Sequence, residues 1–428
     1  MTLKRDILAN YLGAGVAVLA PVVALPWYLA ALGPDQFGLI GFIVMLQAVL
    51  GLIDAGMSQA LVREITVRLD SPGRKRHGAA ALLFGFERIY WLFGLGSGFV
   101  MVLLADLIAT RWLNLKDMPI EVGKEAIYGA AALFAMQFPG SIYRSVLVGA
   151  QAQVILNGIV LSGALLRHIG GVIVVFIWPT LLAYLLWHGS VAFLETTFRG
   201  RYAWRALDIK RNQVGWEFSE VRAVWKIVAG LSGAAWLGAL TVQMDKIFLS
   251  RSSTIDQFGY YMIAATVATG ILQLVYPLIQ AVLPRAVKLR AQPAALRALS
   301  VKLACLISLI AAIGAVAFVS AGKLMLNLWL RNSEAVQGIY QILAILLVGT
   351  SLNALYNVGY LNWLVYEKTH RVFQVNTLAL VLSLAVIPPL VDLGGSVGAA
   401  FGWVTINLIG FLLSLEWIKK KSNERNNK

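Results

Sequence analysis

A handful of charged side chains sit inside long apolar runs, and their placement is the first chemical clue in the chain. A charged group near the centre of a bilayer-spanning helix costs about 2.5–3.5 kcal/mol, so each needs a partner or a task. Arg167 lies about 14 residues into an apolar segment over 153–176, or about 21 Å along a helix rising 1.5 Å per residue. In hydrocarbon about 30 Å thick that is too deep from either face for a loop charge. A guanidinium there could grip a phosphate through two parallel hydrogen bonds, or could pair structurally with an acid. Asp54 lies about 10 Å from one end of the segment 38–61 on the same rise, and Glu87 and Arg88 lie at similar depth in 80–107. Neighbouring residues on a helix face different ways, so at most one of Glu87 and Arg88 turns toward Asp54. With Arg63, Glu64 and Arg144 they form a candidate inner-gate cluster, able either to lock one mouth of a transporter by ion pairs or to stand as a static network. Asp245-Lys246, near the outer end of 226–250, is a gate partner or cation site, or else holds a snorkelling interfacial lysine. His168 is a candidate for proton coupling because imidazole titrates near neutral pH, and His188 and His370 share that reading beside a plain structural one.

The uncharged polar residues divide the same way. Asn157 and Gln243 lead an amide-rich set, with Gln151, Gln153, Gln273, Gln280, Asn353, Asn357, Asn362 and Asn376. Such amides suit sugar hydroxyls, and they also serve helix–helix packing in lipid. Trp178 and Trp187 could stack on sugars or belong to an interfacial aromatic belt. No His/Cys metal spacing, phosphate-binding loop or paired nucleophile occurs, so neither enzyme chemistry nor a metal or other cofactor is expected. Any transport would draw on a gradient between leaflets, a coupled ion, or consumption of product outside.

The elements that must position these residues follow from composition. The 428 residues are 59% hydrophobic and 13% charged, about half the charged share of a soluble domain, with mean hydropathy +0.74. The runs predict an all-α polytopic membrane protein of about twelve spans, at 7–30, 38–61, 80–107, 126–149, 153–176, 179–198, 226–250, 258–282, 300–321, 335–363, 372–391 and 396–418. Of the 36 Lys and Arg residues, 27 fall on even-numbered connections and the termini, which places both termini in the cytoplasm. That asymmetry, with attraction to anionic headgroups, accounts for most of the +15 charge, and nucleic acid is not needed as a partner. Residues 1–198 read as one six-helix bundle, 199–225 as a basic cytoplasmic linker, and 226–428 as a second bundle with a basic tail. The linker, RYAWRALDIKRNQVGWEFSEVRAVW, is either a solvated segment or an amphipathic helix lying on the membrane with Trp204 and Trp216 at the interface. The single Cys305 excludes an internal disulfide, and the first apolar segment reads as a retained span without a cleavage site.

A repeat ties the bundles together. Asp35-Gln36-Phe37-Gly38 returns as Asp256-Gln257-Phe258-Gly259, and Gln59-Ala60 returns at the same interval as Gln280-Ala281. Six spans per half is an even number, so the halves enter from the same side and the repeat is parallel. Asp35 and Asp256 stand where N-caps of the second and eighth spans would stand. The halves differ where charge matters, because the counterpart of Asp54 is Val275.

The chain resembles the Wzx-type oligosaccharide flippases of the multidrug/oligosaccharidyl-lipid/polysaccharide exporter superfamily. The resemblance spans nearly the whole chain. It is carried by Leu32-Gly33-Pro34-Asp35-Gln36-Phe37-Gly38, Asp54-Ala55-Gly56-Met57-Ser58, Arg144 with Leu147-Val148-Gly149, Arg167, Gln243-Met244-Asp245-Lys246 and Phe258-Gly259-Tyr260-Tyr261. It implies two six-helix bundles in a V around a central cavity, working by alternating access. It further implies movement of an undecaprenyl-diphosphate-linked O-antigen-like repeat unit from the cytoplasmic to the periplasmic leaflet, in lipopolysaccharide biosynthesis. On that reading Arg167, Arg88, Asn157 and Gln243 face the diphosphate and sugars, and proton or sodium coupling is expected. Membrane lipids and the polymerase and chain-length machinery of the same pathway are the remaining expected partners. The rivals are a drug/cation antiporter of the same superfamily and a membrane glycan polymerase or ligase. The first usually carries an ionisable residue in its first span, where residues 7–30 have none and offer only Pro21 and Pro26 as a kink; the second calls for a large outer loop that 108–125 does not supply.

Overall fold

The computed structural model describes residues 3–54, 56–69, 74–116 and 118–418, so Ala55 and the basic tail from Lys419 lie outside the described residues. The apolar runs become helices because backbone amides in lipid must be bonded within their own segment. The helices are α1 (Leu3–Gly51), α2 (Met57–Leu69), α3 (Arg74–Leu107), α4 (Ile120–Gln137), α5 (Gly140–Gly149), α6 (Gln153–Leu165) and α7 (Gly171–Ile177). They continue with α8 (Leu181–Leu207), α9 (Phe218–Thr241), α10 (Met244–Ser252), α11 (Ile255–Lys288), α12 (Pro293–Leu330), α13 (Ser333–Val365) and α14 (Thr369–Ser414). Among the described residues the one β-type contact is an isolated bridge between Asn114 and Thr254.

Among the described residues, seven helical stretches are long and apolar enough to cross a membrane. Two of them hold two crossings each. α1 has 49 residues, about 74 Å at 1.5 Å per residue, and α14 has 46, each far beyond about 30 Å of hydrocarbon. α1 breaks at Gly33, whose φ of 76° would strain any residue with a Cβ, and α14 breaks at Gly395 with φ 53°. The breaks fall between the first and second and between the eleventh and twelfth expected spans. The remaining expected crossings correspond to α4–α5, α8 and α9–α10, and two of these three are themselves interrupted, at Pro139 and at 242–243. The all-α polytopic class holds.

Several crossings carry local defects where the charged residues sit. The second crossing stops at Gly51, passes through a 3-10 turn Leu52–Asp54 and Gly56 (φ 92°), and resumes as α2. The fifth joins α6 to α7 through a π-helical turn, Leu166–Gly170, which holds Arg167 and His168. Such single wide turns re-aim side chains and recur at functional positions.

The chain forms two compact units: Met1–Ala239 with Thr254–Gly259, and Leu240–Ser253 with Tyr260–Lys428. In the first, Leu61, Ile65, Leu82, Leu83, Phe86, Tyr90, Ile142 and Leu147 make a fully buried core. In the second, Leu272, Val275, Ile307, Ala354, Val358 and Leu361 do so. The segment 199–225 departs from both sequence expectations. Its first part continues α8 to Leu207, and Ala203, Leu207, Val214, Val221 and Val224 are buried in the core of the first unit. Arg68 reaches Glu220 at 2.6 Å and Gly85 leaves space for Val221, so part of this stretch packs on the first unit, which neither expectation included, while Trp216 and most of its charged residues stay exposed.

Candidate functional site

Arg167 does not stand alone. Its Nη2 donates to Glu195 Oε1 at 3.0 Å, and Arg199 Nη2 donates to Glu195 Oε2 at 2.9 Å, so one carboxylate bridges two guanidiniums. All three side chains are largely withdrawn from solvent, at 21%, 11% and 14% exposure for Arg167, Glu195 and Arg199. Glu195 and Arg199 lie one helical turn apart on α8, the geometry in which an i,i+4 pair meets. Glycine makes room for the acid: a Cβ on Gly163 of α6 would come within 2.5 Å of the Glu195 carboxyl carbon. The charges do not balance. Two guanidiniums face one carboxylate, and the Nε atoms of Arg167 and Arg199 are buried with no hydrogen-bond partner among the described residues. A low-dielectric site with surplus positive charge and spare donors suits an anion able to take several hydrogen bonds.

A ring cluster abuts this triad. Tyr28 of α1 donates to the backbone carbonyls of Arg167 at 3.4 Å and His168 at 3.3 Å, bonds made accessible by the π-helical turn. The His168 and His188 rings lie 5.9 Å apart, His188 stacks on Tyr184 at 3.8 Å, and His188 Nδ1 is 3.0 Å from the Tyr184 carbonyl. His168 and His188 therefore meet, although the sequence separates them. His370 is exposed near the start of α14.

The inner-gate set is brought together only in parts. Asp54 accepts from Ser58 at 2.8 and 2.7 Å and from the Tyr90 hydroxyl, with Arg144 in electrostatic reach. Glu87, 4% exposed, accepts from Tyr143 at 2.5 Å and lies 3.1 Å from Arg211 of the segment after α8. Arg88 turns the other way and stacks on Phe84 at 3.9 Å. Arg63 is exposed and pairs with its neighbour Glu64 at 2.9 Å, which also faces Arg68 at 3.7 Å. The expected single cluster is thus divided: Asp54 and Glu87 take separate tyrosine partners, Arg63 and Glu64 pair with each other, and Arg88 stacks apart from them.

Asp245-Lys246 belongs to the second unit, at the start of α10 just after the break in the seventh crossing. Both are buried, which excludes the snorkelling reading for Lys246: its Nζ donates to Asp245 Oδ1 at 3.2 Å and to the Val242 carbonyl at 2.9 Å. Asp245 also accepts from Tyr261 at 2.5 Å, and Lys246 lies 5.9 Å from the Trp403 ring. Gln243 caps this helix and receives Ile247 N–H on its carbonyl at 2.9 Å. Asn157 donates to the Gln153 carbonyl at 2.8 Å, and Asn353–Asn407 at 2.6 Å and Asn362–Ser300 at 2.9 Å join helices. The Asn353–Asn407 and Asn362–Ser300 pairs serve packing between helices, whereas the Asn157 bond stays within its own helix. Trp187 donates to the Leu166 carbonyl at 3.0 Å and packs on Gly170, whereas Trp178 is exposed.

Sequence reasoning missed Glu195, Arg199, Tyr28, Tyr90, Tyr143 and Tyr261. Arg199 was set aside as a linker charge because the sixth span was ended at 198, Glu195 within that span was passed over, and Tyr261 entered only as part of the motif Phe258-Gly259-Tyr260-Tyr261. The i,i+4 acid–base spacing of Glu195 and Arg199 was the available signal. The repeated turns are corrected as well. Thr254, whose carbonyl accepts from Phe258 N–H at 2.9 Å, occupies the cap of α11, and Asp256 falls inside the first turn. There its charge favours the helix N-terminus.

No protein-family model matches the chain. A curated relative from Shigella flexneri, described as "Putative O-antigen transporter", is 20% identical over 425 residues, covering 98% of each chain. A solved structure of the lipid II flippase MurJ in an inward closed conformation aligns with a TM-score of 0.73 and 14% identity, over 97% of this chain and 87% of that one. An inward-facing multidrug resistance MATE family transporter of the MOP superfamily aligns with a TM-score of 0.74 and 12% identity, over 93% of each chain. The chain thus shares its fold with these solved transporters, and the resemblance drawn from the motifs agrees with the near-full-length likeness to the curated relative.

Proposed function

We propose that the chain is a flippase for a lipid-linked oligosaccharide, carrying an undecaprenyl-diphosphate-linked O-antigen-like unit from the cytoplasmic to the periplasmic leaflet of the inner membrane by alternating access. The observation that carries this reading is the pair of guanidiniums sharing one carboxylate within the fifth and sixth crossings. Surplus positive charge in a membrane-spanning bundle favours a diphosphate head over the cations that a drug antiporter would move, since a cation would meet like charge in low dielectric. The full-length likeness to an O-antigen transporter supports the sugar-bearing substrate. Termini in the cytoplasm, coupling to a proton or sodium ion, and delivery to a polymerase and chain-length machinery complete the proposal.

In a strain lacking the transporter, wild-type protein should restore surface glycan, Arg167→Ala should not, and Arg167→Lys should restore part of it. Lysine keeps the charge but loses the forked donors. Full restoration by the alanine variant at equal membrane abundance would remove Arg167 from the transport path. Mass spectrometry of the lipids that accumulate without the transporter identifies the cargo directly.

A further inference from the structure

We infer that Glu195 is an internal stand-in for the anionic head of the substrate: it holds Arg167 and Arg199 apart and aimed while the site is empty, and must be displaced from at least one of them by an incoming phosphate. The inference rests on the anion-binding reading of Arg167. Four observations support it. The carboxylate takes one oxygen to each guanidinium, at 3.0 and 2.9 Å, as two oxygens of a phosphate would. Space for it is provided by Gly163, so the acid is accommodated by the neighbouring helix rather than squeezed in. Arg167 and Arg199 each keep a buried Nε donor with no partner among the described residues, so the acid leaves capacity unfilled. Tyr28 holds the backbone of the π-helical turn rather than the guanidinium, leaving the Arg167 side chain free to change partner.

A purely structural triad is the competing account, and it predicts the opposite sign. Buried ion pairs contribute little net stability compared with apolar packing, so stability alone gives weak reason for two arginines and a glutamate in the membrane. If Glu195 only positions Arg167, neutralising it lets the arginine wander and weakens anion binding. If Glu195 competes with the substrate, neutralising it strengthens binding and slows release, because the returning carboxylate no longer expels the phosphate.

The test uses the full-length protein in detergent and in proteoliposomes. Binding is measured with farnesyl diphosphate as a short lipid diphosphate and with inorganic pyrophosphate as the head alone. Transport is read from restored surface glycan. Glu195→Gln should bind both probes about tenfold more tightly, equivalent to about 1.4 kcal/mol, while restoring less glycan than wild type. Glu195→Asp, with its carboxylate drawn back by one methylene, should bind with intermediate affinity and serves as the reading if the glutamine variant does not fold. Unchanged or weaker binding by Glu195→Gln, or by Glu195→Asp in its place, overturns the role of Glu195. Wild-type protein that binds neither probe, or an Arg167→Ala variant that binds as well as wild type, overturns instead the anion-site reading beneath it.

Discussion

Gly38→Ala isolates the repeated turn better than any charge substitution. The first turn of α11, Thr254–Gly259, belongs to the first compact unit although the rest of that helix belongs to the second. Ile255 N–H donates to the Asn114 carbonyl at 3.2 Å, Lys116 lies 3.6 Å from Asp256, and Ile255 and Phe258 are buried. A Cβ on Gly38 would lie 2.7 Å from the Ile255 carbonyl carbon and nearer still to its oxygen. Those are backbone atoms that cannot rotate aside, so the turn must back away by about 1.5 Å to reach ordinary contact. That places the cost near the upper end of overpacking, about 3 kcal/mol, with about 1 kcal/mol more if the Ile255–Asn114 bond is lost. A Cβ on Gly259, the matching residue of the second repeat, would lie 3.0 Å from Gly38 Cα and 3.3 Å from the Pro34 carbonyl oxygen, a mismatch of a few tenths of an ångström. Its cost should be about 1 kcal/mol. The two alanines should therefore differ by about 2 kcal/mol, or about thirtyfold in the opening equilibrium of this turn. Hydrogen exchange of the Ile255, Phe258 and Gly259 amides in detergent-solubilised protein reads that equilibrium locally. Exchange in Gly38→Ala within threefold of wild type, or Gly259→Ala exceeding Gly38→Ala, would falsify the close-approach account.

Other expectations rank substitutions by what they leave buried. Lys246→Met leaves buried Asp245 its Tyr261 hydrogen bond but no cation and should cost about 3–5 kcal/mol, while the double variant Asp245→Asn with Lys246→Met should recover most of it; thermal unfolding in detergent measures both. A double variant no more stable than the single one would contradict the pairing. Tyr90→Phe removes one donor from Asp54 but leaves Ser58, so a loss of about 1–3 kcal/mol is expected by the same assay, and no loss would place that hydroxyl outside the network. Tyr143→Phe should destabilise more than Arg211→Ala, because Glu87 is buried against Tyr143 whereas Arg211 is 60% exposed and its ion pair is worth about 1 kcal/mol or less. The reverse order would mean that Arg211 carries the buried acid.

What could be read from sequence was set by spacing along single segments. Apolar run length and the Lys/Arg asymmetry need no partner, so the spans, including the breaks at Gly33 and Gly395, follow from one-dimensional rules. The depth of Arg167 was legible for the same reason. Its partner was not, because Glu195 lies 28 positions away and meets it only once α6 and α8 pack with Gly163 at their contact. The inner acids show the limit from the other side. Asp54 and Glu87 share a depth, yet depth fixes only one coordinate, and their helices turn them toward Tyr90 and Tyr143 instead of toward one another. The segment after α8 was misjudged because its many charges hide a sparse apolar set, Val214, Val221 and Val224, which packs against the bundle.

The repeat also explains where chemistry can enter. Equivalent stretches begin alike, with the two glycines of the Asp-Gln-Phe-Gly turns in close approach, and then diverge. The first copy interrupts its helix at Gly51, turns through the half-buried 3-10 turn Leu52–Asp54 and places a hydrogen-bonded acid there. The second runs unbroken as α11 through Val275, which is 1% exposed and buried in an apolar core. An interrupted helix in a membrane leaves backbone groups that need polar partners, and Ser58, Tyr90 and Arg144 gather around the acid at that interruption. The two copies thus share matching turns, while the hydrogen-bonded acid at a helix break belongs to the first copy, in the same compact unit as Arg167, Glu195 and Arg199. The hydrogen-bonded acid at the break of the first copy and the buried valine at the matching position of the second mark where the two copies differ in charge.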